Sequence, residues 1–271
     1  MLRSGLSVTV WNRTAEKTAK LTEEGAHAAA TPEEAVREAE IVFTMLADGA
    51  AVEAVMLDGG ALDAMSADAL WIQSSTVGTA ATERFATAAD DVGVVFVDAP
   101  VLGTKKPAED AQLVVLASGP EEARERCEPV FDAIGRKTVW LGEAGMGTRL
   151  KLVVNNWILC TVENIGETFV FAESLGVDPK LFLDAISGGA MDMQYAHLKG
   201  AQITNRDFTT SFPLRLARKD VALILEAAQE LELPLAEATL RQFDRAVELG
   251  HGEEDMAAVY YAADDAARAS T

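Results

Sequence analysis

Gly147, Lys151 and Asn155 recur every four residues at the head of a long proline-free run, "GTRLKLVVNNWILC". On a helix that interval places all three on one face. A lysine among apolar neighbours is costly to bury unless it is paired or functional. Its ammonium donates to a carbonyl oxygen, and desolvation lowers the pKa of such a group. The Asn155 carboxamide, one turn on, can orient that ammonium or a substrate. Gly147 would let a ligand approach the backbone near the helix N-terminus, where an anion is favoured. The chemistry on offer is polarisation or protonation of a carbonyl. A snorkelling lysine behind a helix-capping glycine is the plainer reading, and on these residues alone it stays open.

Other stretches could join it. "DAPVLGTKKPAEDAQL" (98–113) starts at the carboxyl end of a strand, where open α/β sheets bind ligands. Gly103 and Thr104 offer backbone and hydroxyl donors there. Lys105 and Lys106 are either cations of the site or solvated surface. "SSTVG" (74–78) ends another strand with hydroxyls, and "FPLRLARKD" (212–220) sets Phe212, Lys219 and Asp220 at the front of a helix. "SVTVWNRT" (7–14) is a strand ending in Asn12-Arg13-Thr14. At that position a nicotinamide-binding fold meets the adenosine ribose, an acid selecting NAD and a basic residue accommodating the 2′-phosphate of NADP. Arg13 presents a planar fork and Thr14 a hydroxyl, although a polar strand end is also an ordinary turn. "GEAGMGTRL" (142–150) imitates a phosphate loop, but its glycines are spaced G-x-x-G-x-G and no strand with a terminal acid follows the helix.

The elements that must carry these residues divide the chain. "LSVTVW" (6–11), "IVFTML" (41–46), "LWIQSS" (70–75), "GVVFVDAP" (93–100), "QLVVLASG" (112–119) and "KTVWLG" (137–142) read as strands buried on both faces. Helical stretches alternate with them: Thr31-Pro32-Glu33-Glu34 is a helix start with a capping box, and 120–135 is a helix closed by Gly135. The expectation is a Rossmann-like, doubly wound α/β domain over 1–143, followed by an all-α domain over 144–271. The second opens with a long helix from Gly147 to Gly176, apolar nearly all round. Helices near Asp178-Pro179, across 215–231 and 234–249, and from about 254 follow.

Composition narrows the function. The 271 residues carry a formal charge of −20, which repels nucleic-acid phosphates and anionic lipid. No uncharged run approaches the roughly 18 residues of a membrane span, and no secretory signal opens the chain. Three scattered histidines argue against a His-based metal site, and the two cysteines, Cys127 and Cys160, read as reduced core residues of a cytoplasmic protein.

Together, "VTVWNRT", "TMLAD", "STV", "DAPVLGTKKPAEDAQL", "GMGTRLKLVVNN" and "DFTTSFPLRLARKD" resemble, in order and spacing, the β-hydroxyacid dehydrogenases. These are 3-hydroxyisobutyrate dehydrogenase-like and 6-phosphogluconate dehydrogenase-like enzymes, and "KKPAEDAQL" is most similar to the glyoxylate/succinic semialdehyde reductase branch. The resemblance spans essentially the whole chain. It implies an NADP-dependent reductase, NADP being favoured over NAD, that acts on a small carbonyl compound or oxidises the matching hydroxyacid. It implies Lys151 as general acid and Asn155 as substrate holder. Asn12, Arg13 and Thr14 would take the 2′-phosphoadenosine end of the cofactor, Met45 and Leu46 would line it, and Thr76 would sit near the nicotinamide. Lys219 would close over the cofactor, with Phe212 and Asp220 supporting. Leu102, Gly103, Thr104 and Gly147 would meet the substrate, and the helical domain would build a homodimer or homotetramer.

Two departures from the family pattern bear on this expectation. Where the family carries "PVSGG" or "PVSGS", this chain has Leu102 and Thr104. Leucine cannot donate a hydrogen bond, and a lost charge-assisted bond costs carboxylate binding about 1.5–3 kcal/mol. The resemblance also begins at the end of the family's first helix, so the first strand and its G-x-G-x-x-G loop lie outside the chain. The expectation is weak NADPH binding and reduced stability. The alternatives are an imine reductase, in which the lysine position usually carries another residue, and a catalytically silent binding protein on the same fold.

Overall fold

The computed structural model describes residues 1–269. The chain separates into two compact units, Met1–Lys151 and the part from Leu152 onward.

The first unit is built on short strands: β1 (Thr9–Val10), β2 (His27–Ala28), β3 (Ile41–Thr44), β4 (Leu70–Gln73), β5 (Val95–Asp98), β6 (Val101–Leu102), β7 (Leu113–Ala117) and β8 (Gly135–Trp140). They pair as β1-β2, β3-β4-β5 and β6-β7-β8, all parallel except β6 with β7. An Asp98–Ser118 bridge links the second and third groups. All four residues of β4 are buried, and their alternation explains why. Trp71 enters one cluster with Phe85 and Phe96, whereas Leu70 and Ile72 enter another with Val97, Val115, Cys127 and Phe131. A strand apolar on both faces suits a sheet covered on both sides.

The covering helices are α1 (Ala19–Glu23), α2 (Pro32–Val36), α3 (Gly49–Met56), α4 (Ala61–Ala64), α5 (Thr79–Asp91), α6 (Lys105–Glu109) and α7 (Arg124–Ile134). The start of α2 follows its sequence: Thr31 Oγ1 accepts from Glu34 N at 3.2 Å, while the Glu34 carboxylate reaches back to Ala30 N at 2.8 Å. The latter contact lies one residue earlier than in the standard capping box. Gly135 does not close α7 in a left-handed turn; it is extended (φ −131°) and begins β8.

The long helix is α8 (Met146–Ser174). It starts in the first unit and continues into the second, where α9 (Pro179–Ile186), α10 (Gln194–Asn205), α11 (Leu214–Ala228), α12 (Pro234–Ala246) and α13 (Tyr260–Ala269) follow. The core of this unit centres on Leu159, Phe169, Ile203, Phe243 and Tyr260. Helix α10 was not anticipated, because its run "QYAHLKGAQITN" has weak apolar periodicity. It is held by a buried ion pair, Lys199 Nζ to Asp255 at 2.6 Å, which periodicity cannot show. Helix α8 is also less buried than its composition suggests, since Val153, Trp157 and Phe171 are exposed. Among the described residues no helix is long and apolar enough to cross a membrane.

Candidate active site

Lys151 lies in the second turn of α8, half-buried, and its Nζ donates to the Val101 carbonyl at 2.8 Å. That bond directs the ammonium to the short strand β6 and the turn after it, Leu102-Gly103-Thr104. Gly103 sits at φ +121°, and an added Cβ would come within 2.7 Å of Leu113 Cδ2. Backbone conformation and space therefore both require glycine there. Leu102 is held in register opposite Val114. The structure thus brings Lys151, Leu102, Gly103 and Thr104 into one neighbourhood. Lys106 pairs with Asp110 at 2.6 Å and belongs to the solvated surface.

The first turn of α8 is fastened from below. Asp98, at the end of β5, is fully buried, and its carboxylate accepts from Thr148 N (2.7 Å), Thr148 Oγ1 (2.7 Å) and Ser118 Oγ (3.3 Å). Ser118 Oγ in turn accepts from Gly147 N at 2.9 Å. Thr148 Oγ1 also lies 3.2 Å from Thr82 Oγ1. Burial pushes the Asp98 carboxyl up to about 6, against the Thr148 and Ser118 hydrogen bonds that pull it down. This network was missed from sequence. Its one legible sign was an acid closing the apolar strand "VFVD".

The same network corrects the expectation for Gly147. An added Cβ there would collide with the Leu116 carbonyl oxygen and crowd Asp98, so glycine is needed for packing against β5 and β7. The Gly147 and Thr148 N–H groups are taken by Ser118 and Asp98, and a carboxylate already stands at the positive end of the helix. An anionic ligand is therefore disfavoured at this turn, which excludes a phosphate loop at 142–150.

Within the second unit, Asn155 Nδ2 donates to Asp220 Oδ2 at 2.8 Å, and Lys219 Nζ pairs with Asp220 Oδ1 at 2.9 Å. Asp220 is buried and joins the two residues at the front half of α11. Phe212 packs against the apolar core of this unit, and its N–H lies 3.3 Å from the Asp255 carboxylate.

The residues expected at a dinucleotide form two groups. At the tip of β1, Asn12, Arg13 and Thr14 are exposed, and Thr14 N donates to Asn12 Oδ1 at 2.9 Å, an Asx turn that presents the guanidinium and the hydroxyl. At the tips of β3 and β4, Leu46 N donates to Ser75 Oγ at 2.8 Å. That bond ties exposed Met45 and half-buried Leu46 to the turn carrying Thr76. A cationic fork with a hydroxyl suits a phosphate, and apolar side chains beside a hydroxyl suit an aromatic amide ring. The donor set therefore fits the two ends of a nicotinamide dinucleotide.

Mostly parallel strands covered by helices and followed by a helical half, with these donors at the strand tips, fit an NAD(P)-dependent oxidoreductase, and comparison with known proteins agrees. Residues 1–142 match the family described as the NAD binding domain of 6-phosphogluconate dehydrogenase. Residues 145–263 match the family described as NAD-binding of NADP-dependent 3-hydroxyisobutyrate dehydrogenase. The chain is 34% identical over 262 residues to glyoxylate/succinic semialdehyde reductase 1 of Arabidopsis thaliana, covering 96% of this chain and 91% of that one. Its structure is similar to that of 3-hydroxyisobutyrate dehydrogenase from Salmonella typhimurium, with a TM-score of 0.87, 27% identity and coverage of 96% and 92%. An imine reductase from Pseudomonas sp. shares the fold at a TM-score of 0.62 and 24% identity, with coverage of 96% and 92%. The chain belongs to the β-hydroxyacid dehydrogenase family, whose members are NAD(P)-dependent dehydrogenases and reductases.

Proposed function

We propose that this chain is an NADP-dependent reductase of a small carbonyl compound, a carboxylated aldehyde or keto acid such as glyoxylate or succinic semialdehyde, and that it oxidises the matching hydroxyacid in reverse. The observation that carries this reading is the Lys151 ammonium, half-buried and held on the Val101 carbonyl at 2.8 Å, beside the Leu102–Thr104 turn. NADPH, when bound, supplies a hydride. Lys151 Nζ donates to the substrate carbonyl oxygen and gives up its proton as the alkoxide forms; in the oxidative direction the free amine takes the hydroxyl proton. Asn155, held by Asp220, orients the substrate. Arg13 and Thr14 take the 2′-phosphate, and Met45, Leu46 and Thr76 flank the nicotinamide. Leu102 in place of a hydroxyl donor favours a substrate whose carboxylate lies away from that position or is met by Thr104.

Lys151 separates this reading from an imine reductase or a silent binding protein. Replacing it, Lys151→Ala, is expected to lower kcat with succinic semialdehyde by about 100-fold or more while NADPH binding, followed by nucleotide fluorescence, stays within about threefold, since the 2′-phosphate contacts are untouched. Unchanged NADPH consumption in that variant would remove the general-acid role. The exposed apolar side chains of α8 support a homodimer, and two buried free thiols, Cys127 and Cys160, accord with the cytoplasm.

A further inference from the structure

Lys151 is fixed by more than its own hydrogen bond. Only two residues separate it from Thr148, and the Val101 carbonyl that it contacts is three residues beyond Asp98. The segment 98–102 and the first two turns of α8 are therefore joined twice. At one point the Asp98 carboxylate holds both donors of Thr148, at 2.7 Å each, and reaches Gly147 N through Ser118. At the other, Lys151 Nζ holds the Val101 carbonyl at 2.8 Å. Asp98 and Ser118 are fully buried, and Thr82 and Thr148 are at most 2% exposed, so water does not replace a bond that is lost. The Gly147 backbone also lies against the Leu116 carbonyl, a close packing that opposes sliding or rotation of the first turn.

We propose that Asp98, acting through Thr148, is the positioning residue for Lys151. Its buried carboxylate sets the rotation and depth of the first turn of α8 and so places the ammonium relative to the Leu102–Thr104 turn. This deepens the reductase reading and rests on it for the kinetic consequence. The consequence for geometry stands without it.

The side-chain part of this grip comes from the Thr148 hydroxyl, so Thr148→Val removes one bond to Asp98 at nearly constant volume, and Thr148→Ser retains it. With NADPH and succinic semialdehyde, Thr148→Val is expected to lower kcat about 10- to 100-fold, the range for a catalytic group misplaced by about 1 Å. KM and NADPH affinity should stay within about threefold, because substrate and cofactor contacts are untouched. Thr148→Ser should return kcat to within about threefold of the parent, since its hydroxyl can make the same bond. A purely structural role would lower the folded fraction of Thr148→Val and leave its kcat per folded molecule unchanged. A crystal structure of Thr148→Val supplies the second readout, with Lys151 Nζ displaced from the Val101 carbonyl as the expected result. An ammonium still seated on that carbonyl, or a kcat per folded molecule within twofold of the parent while Lys151→Ala is inactive, would overturn the proposal. If Lys151→Ala keeps full activity, the general-acid reading fails, and the displacement in the crystal structure alone decides the role of Asp98.

Discussion

Arg13 is exposed at the tip of β1 beside a hydroxyl and an Asx turn, and none of the tip residues Asn12, Arg13 and Thr14 is a carboxylate. A guanidinium in this place distinguishes the two nicotinamide dinucleotides by the one phosphate in which they differ. A charge-assisted hydrogen bond of about 1.5–3 kcal/mol corresponds to roughly a 10- to 100-fold difference in affinity. Replacement by an acid, Arg13→Glu, is therefore expected to raise KM for NADPH by about that factor, through loss of the bond and repulsion of the phosphate. KM for NADH should change by less than about threefold, because its ribose hydroxyls can donate to an acidic neighbour. Parallel titrations with both cofactors measure the ratio. An equal loss for both would show that Arg13 does not meet the 2′-phosphate.

Helix α8 carries a titratable group that the proposed chemistry does not use. Glu163 is buried, 7% exposed. Burial first, and then the neighbouring Glu167 carboxylate one turn on, push it from 4.5 up to about 7. The folded state therefore holds this proton over a pH range in which the unfolded chain has released it. The resulting stabilisation is full below about pH 4.5 and is lost as pH rises through 7. The interval corresponds to about 3 kcal/mol as an order of magnitude. Glu163→Gln keeps the shape without the charge, so its stability gain in urea unfolding is expected to be near zero at pH 4.5 and to approach about 3 kcal/mol at pH 8. A gain independent of pH would mean that Glu163 does not titrate near neutrality. Elements of this kind also show what a sequence can reveal. Strands β3, β4, β5 and β7 and helix α8 were legible because an apolar strand buried on both faces, or a long proline-free run, needs no partner information. Strand β2, strand β6 and helix α10 were not. The first two are two-residue pairings set by their neighbours, and the third is anchored by Lys199–Asp255, 56 residues apart. The candidate site divides in the same way. Lys151 and Asn155 announce themselves by helical spacing, whereas the Asp98–Ser118–Thr148 network joins three distant segments and leaves only a strand-terminal acid to read. Gly147 shows the converse: its spacing matched a ligand site, but the structure uses it for packing.

At the scale of the molecule, a net charge of −20 opposes self-association, and yet α8 exposes a patterned apolar stripe. Val153, Trp157 and Phe171, with Leu175 just past the last turn, are 65%, 57%, 62% and 63% exposed. Val153 and Phe171, like Trp157 and Leu175, are separated by about five whole turns, so all four lie along one side of the helix. The stripe is also symmetric about Asn164: Trp157 and Phe171 are equally far from it, and so are Val153 and Leu175. In an isologous contact residue i of one copy meets residue j of the other while j meets i, and this symmetric spacing suits such a pairing. Two copies of α8 packed antiparallel about Asn164 would set Trp157 of one against Phe171 of the other and close both ends with Val153 and Leu175. The proposed homodimer therefore has a specific register. Trp157→Glu places two carboxylates in that contact and is expected to yield monomers in sedimentation equilibrium at concentrations where the parent is dimeric. Raising ionic strength should tighten the parent dimer by screening the repulsion between two acidic copies. A Trp157→Glu protein that remains dimeric would place the subunit contact on another face.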